Sequence, residues 1–68
     1  MKELKNTDYV IYDNAEDRLL TFENGLVIIY GNKEEAKSDL RSTSEEVISC
    51  TDLPKKFKNS LLKQINLN

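Results

Sequence analysis

Leu19-Leu20-Thr21-Phe22-Glu23-Asn24-Gly25-Leu26-Val27-Ile28-Ile29-Tyr30 is the stretch on which the fold of this chain turns. Two runs rich in aliphatic, β-branched and aromatic residues flank Asn24-Gly25, a pair that tolerates the positive φ of tight turns, so residues 19–30 read as a β-hairpin. Two registers are open. With a two-residue loop, Phe22 faces Val27 and Leu20 faces Ile29. With a three-residue loop, Glu23-Asn24-Gly25 and a glycine bulge, Leu20, Phe22, Leu26, Ile28 and Tyr30 share one face. In either case residues 26–30 are apolar on both sides, so a helix, a second subunit or a partner is expected to cover each side of at least part of the sheet.

Working outward, Tyr9-Val10-Ile11-Tyr12 is a short strand that also lacks a polar face. The turn formers of residues 13–17 fold it back onto residues 18–23, giving a three-stranded antiparallel meander with residues 26–30. Gly31-Asn32 ends the third strand. Asn32 then caps a helix that begins with Lys33-Glu34-Glu35, carries Ala36 and Leu40 on one face and ends at Ser42-Thr43-Ser44. Residues 45–50 form a fourth strand, and Thr51 or Asp52 caps a final helix with Pro54 in its first turn. Leu53, Phe57, Leu61, Leu62 and Ile65 make its amphipathic stripe. The order is β-β-β-α-β-α, and the expected fold is a two-layer α+β domain spanning residues 1–68, with residues 1–7 frayed.

A chain of 68 residues buries only about 60% of its unfolded surface, so it has little core to spare. Its charged content of 32% and mean hydropathy of -0.59 describe a soluble globular protein. No run approaches the ~20 apolar residues of a membrane span, and the N-terminus lacks the apolar core of a signal peptide, so a cytoplasmic location is expected. Cys50 is the single cysteine, which rules out an internal disulfide, and the chain has no histidine. Charge is uneven: residues 1–52 carry six basic against twelve acidic residues, net -6, while residues 53–68 carry four lysines and no acid, net +4.

Motifs that carry chemistry are sparse. Catalytic arrangements built on histidine are excluded. Cys50 sits between a strand and a helix start, where it reads as a packed thiol. Asp13, Glu16 and Asp17 crowd one turn, but Ala15 and Arg18 stand where a calcium loop needs an oxygen ligand and a glycine, so no metal is expected. Gly25 and Gly31 are turn residues and build no phosphate loop, so no cofactor is expected. Tyr9, Tyr12 and Tyr30 all fall on strands and, with Leu26 and Ile28, offer a face of the kind protein partners engage. Lys55, Lys56, Lys58 and Lys63 on the last helix are the one feature suited to nucleic-acid phosphates.

Tyr9-Val10-Ile11-Tyr12-Asp13, Phe22-Glu23-Asn24-Gly25 and Tyr30-Gly31-Asn32-Lys33-Glu34-Glu35-Ala36 together resemble small uncharacterised proteins of phages and other bacterial mobile elements, over about residues 9–40. The resemblance implies a small accessory or host-interaction protein and brings no functional residues with it. The expected function is therefore non-enzymatic: docking a sheet face or acidic surface on a protein partner, with a homo-oligomer as one form. The alternative is a nucleic-acid-associated regulator using the four lysines. The two differ in salt sensitivity, since phosphate contacts weaken steeply as salt rises.

Overall fold

Residues 3–67 are described by a computed structural model. Its centre is β1, Tyr9–Asp13, in an antiparallel sheet of order β2-β1-β3, where β2 is Arg18–Leu19 and β3 is Glu45–Ser49. Helix α1, Lys33–Ser38, precedes β3, and α2, Lys55–Asn66, follows it. The chain is thus an α+β protein with a three-stranded sheet and two helices, and the strand order departs from a simple meander. β1 pairs with β2 on one edge and with the expected fourth strand, β3, on the other. The expected third strand contributes bridges instead of a full ladder: Tyr30 exchanges backbone hydrogen bonds with Tyr9, at 2.8 and 2.7 Å.

The reason lies at Leu20. Its N–H donates to the Ile11 carbonyl on β1, while its carbonyl accepts from the Ile28 N–H, so the chain bends there and leaves the sheet. β2 and Tyr30 share one edge of β1, and residues 21–29 project between them as the hairpin. The Phe22 N–H donates to the Leu26 carbonyl and the Gly25 N–H to the Phe22 carbonyl, with Gly25 at φ 88. Glu23-Asn24-Gly25 is therefore the three-residue loop, the second of the two registers, and glycine supplies the left-handed conformation it needs.

Side chains divide by parity. Tyr9, Ile11, Leu20, Ile28, Tyr30 and Val47 gather with Ala36 of α1. Val10, Tyr12, Leu19, Val27, Ile29 and Ile48 gather with Phe57 and Leu61 of α2, together with Leu4, Cys50 and Leu53. A strand that is apolar at successive positions must be covered on both faces, and one helix serves each. The expected two layers are accordingly three, with the sheet in the middle.

Local chemistry sets the element ends. Asn32 caps α1 as expected, its Oδ1 accepting from the Glu35 N–H at 2.8 Å. The helix stops at Ser38, earlier than expected, because Asp39 turns to accept the Tyr30 hydroxyl and leaves Leu40 outside. Neither Thr51 nor Asp52 caps α2. Burial of Leu53 requires a short 3-10 turn over Cys50–Asp52, and Pro54 becomes the N-cap, its carbonyl accepting from Phe57 and Lys58. Residues 3–7 form neither strand nor helix, yet Leu4 packs on the α2-side core and the Asn6 carbonyl accepts the Ser49 hydroxyl. Fraying of residues 1 and 2 falls outside the described residues.

Candidate functional site

The sequence singled out Tyr9, Tyr12, Leu26, Ile28 and Tyr30 as a docking face, and the fold does not bring them together. Tyr9, Ile28 and Tyr30 lie under α1, and Tyr12 lies under α2. Tyr30 is only 7% exposed, and its hydroxyl donates to Asp39 at 2.6 Å. Burial, reinforced by that bond, pushes its pKa up to about 12. Tyr12 is half-buried in an edge-on contact with Phe57, and its hydroxyl donates to Asp17. Of the five, Leu26 alone is exposed.

Leu26 sits at the hairpin tip directly opposite Phe22, a residue that the sequence pattern places on the hairpin but does not mark as a docking residue. Phe22 is 55% and Leu26 45% exposed, the two large apolar side chains that the three-residue loop sets side by side. Turning about Gly25 carries them past the cover that α1 gives Leu20 and Ile28. Leu26, though not Phe22, also lines an open cleft of about 620 Å³, together with Glu3, Lys5, Asp8, Gln64, Ile65 and Leu67. The tip and cleft thus present apolar side chains with charged neighbours.

One residue holds the tip in place, and the sequence reading missed it. Gln64 of α2 accepts the Val27 N–H on Oε1 at 2.8 Å and donates Nε2 to the Val27 carbonyl at 2.9 Å. Val27 is bridged to Thr21 between the two hydrogen-bonded pairs of the hairpin, so its own N–H and carbonyl point outward, and the amide occupies that edge as a strand would. The signal was present: a polar residue three positions after Leu61, on the buried side of α2, needs a partner.

The four lysines of α2 differ in their surroundings. Lys56 pairs with Asp17 at 3.1 Å and its ammonium lies 4.9 Å from the centroid of the Phe57 ring. Lys58 is half-buried, while Lys55 and Lys63 are exposed. The acids are divided too, Asp17 on the α2 side and Asp39 on the α1 side. The Tyr12 hydroxyl and then Lys56 hold the Asp17 carboxyl below its usual 3.8. Asp13 is also lowered: desolvation opposes ionisation, but the Ser44 hydroxyl and the N–H groups of Ala15 and Glu16 outweigh it. Both carboxylates are thus engaged within the chain, and no group of three metal-ligating side chains occurs among the described residues.

Cys50, the first residue of the 3-10 turn, is fully buried directly after β3. Burial, with a smaller contribution from Asp8, pushes its thiol up to about 11, so little thiolate exists near neutral pH. No helix among the described residues is long and apolar enough to cross a membrane. No family model, curated protein or solved structure matches the chain.

Proposed function

We propose that this protein is a non-enzymatic accessory protein of the phage or mobile-element type, working in the cytoplasm, that docks on a protein partner through its hairpin tip. The observation that carries the reading is the cross-strand pair Phe22 and Leu26, both about half exposed at the hairpin tip, with Leu26 also lining an open cleft, while Tyr9, Tyr12, Ile28 and Tyr30 are covered by the helices. Phe22 belongs to the aromatic class enriched at protein interfaces, and a firmly latched hairpin presents it with Leu26 beside it. The nucleic-acid alternative draws less support, because Lys56 is already paired with Asp17 and Lys58 is half-buried.

The test is capture of a partner by the tagged full chain from its native host, with and without nuclease, compared with a Phe22→Ser, Leu26→Ser variant. A nuclease-resistant partner retained by the parent and lost by the variant, with unchanged circular dichroism, is the expected result. Equal capture by both chains, or a partner released by nuclease, would overturn the reading.

A further inference from the structure

The outer edge of β3 is complementary to a second copy of itself. Its hydrogen-bond phase follows from two contacts that flank it: the Cys50 N–H donates to the Asp8 carbonyl at 2.9 Å and the Asn14 N–H to the Ser44 carbonyl at 2.8 Å. Alternation along the β1–β3 register then aims the backbone groups of Glu46 and Ile48 at β1 and those of Glu45, Val47 and Ser49 away from it. Two of the outward groups are used locally. The Glu45 N–H donates to the Ser42 carbonyl at 3.2 Å, and Ser49, as N-cap of the 3-10 turn, gives its carbonyl to that turn. The groups left at this edge are the N–H and carbonyl of Val47, the N–H of Ser49 and the carbonyl of Glu45. Among the described residues no other segment bonds them.

We propose that β3 pairs antiparallel with β3 of a second copy about a two-fold axis at Val47, joining the two sheets into one. This rests on the reading of the chain as a docking protein and deepens it by naming one partner. In this register Val47 faces Val47 of the other copy and Glu45 faces Ser49. Each Val47 N–H meets a Val47 carbonyl, and each Ser49 N–H meets a Glu45 carbonyl. The one donor already used, Glu45 N–H, comes opposite the one acceptor already used, the Ser49 carbonyl, so no backbone group at this edge is orphaned. Of the two neighbouring registers, the one with Glu46 opposite Glu46 sets two carboxylates together and strands the Val47 carbonyl, and the one with Ile48 opposite Ile48 aims the Val47 N–H at the Ser49 carbonyl already used and sets Glu45 against the 3-10 turn. β3 carries no lysine, proline or bulge, and its two charges, Glu45 and Glu46, come opposite Ser49 and Ile48 in this register instead of opposite one another. Chains of this length with few buried side chains gain stability from oligomerisation.

The experiment is a solution mass by light scattering on the full chain from about 1 µM to 1 mM, a range that spans weak edge-strand association. It is repeated on a full-length chain in which the Val47 backbone nitrogen is methylated, prepared by ligating synthetic segments at Cys50. A concentration-dependent dimer is expected for the parent. Methylation should weaken it at least about tenfold while leaving the fold unchanged, because that N–H serves nothing within the chain. A parent mass of 7.9 kDa throughout the range, or a dimer indifferent to methylation, would overturn the proposal. Should the methylated chain fail to fold, amide exchange on the parent decides: protection of Val47 and Ser49 that grows with concentration supports the pairing, and concentration-independent exchange overturns it. The Phe22→Ser, Leu26→Ser variant should dimerise normally. Loss of its dimer would move self-association to the tip, and a docking reading that failed in partner capture would leave this mass measurement unaffected.

Discussion

Asp17 shows how much of this protein is arranged by single side chains. It closes the β1–β2 turn with φ 52, a left-handed conformation that aspartate tolerates, and joins the Tyr12 hydroxyl to Lys56 of α2. Its carboxyl is depressed in the folded state, so the stability it contributes is present above 3.8 and is lost as pH falls through the lower folded value. Asp17→Asn should therefore flatten the acid limb of stability against pH, measured by urea unfolding between about pH 2 and 5. Tyr30 has the opposite sign. Its folded value of about 12 lies above the ordinary 10.0, so stability is full below pH 10.0 and declines as pH rises toward 12. Tyr30→Phe should remove that alkaline decline and cost about 1–2 kcal/mol at neutral pH for the lost bond to Asp39. Cys50, buried with its thiol near 11, should react with a thiol reagent at pH 8 at least about 100-fold more slowly in the native chain than in urea.

Among the elements, the hairpin depends on its turn and on the outer edge of its second strand. At the turn, a Cβ added to Gly25 would meet nothing within 4 Å, so Gly25→Ala should cost only the backbone strain of φ 88, about 1 kcal/mol. At the outer edge beside the tip, Gln64→Leu would remove both bonds to Val27 and leave its N–H and carbonyl open. The expected loss is about 2 kcal/mol, with amide exchange at Val27 raised while β1 stays protected. Exchange at Val27 unchanged in that variant would show that the hairpin is held by side-chain packing alone. The same two variants should weaken partner capture in proportion to the mobility of Phe22 and Leu26.

In the molecule as a whole, β1 serves both cores. Ile11 and Val10 are each fully buried, one beneath α1 and the other beneath α2. A chain of this length has an unfolding free energy of about 3–10 kcal/mol. Ile11→Ala or Leu61→Ala, each costing about 2–5 kcal/mol, should lower the melting temperature sharply and in some conditions unfold the chain. Either change should be felt across the whole sheet in hydrogen exchange, since the two faces share one central strand. By contrast, Lys63→Ala on the exposed side of α2 should change stability by no more than about 0.5 kcal/mol.

Local chemistry was enough to determine several features from the sequence. Asn32 as a cap, the glycine turn at Asn24-Gly25, the strands at β1 and β3 and the amphipathic α2 depend on residues that act on their immediate neighbours, and these were legible. The demand for cover on both sides of the sheet was legible too, because residues 9–12 and 26–30 have no polar face. Only the tertiary structure decided which strand lies beside which, since β3 and the hairpin compete for the edges of β1 and that competition is settled by packing far apart in sequence. It also chose the three-residue register, as alternation must place Leu20, Ile28 and Tyr30 under α1 while Val27 and Ile29 meet α2. The candidate site followed from that choice. Composition marks tyrosines as interface residues, but the helices covered those positions and left Phe22 and Leu26 exposed, because the hairpin runs past the end of its cover.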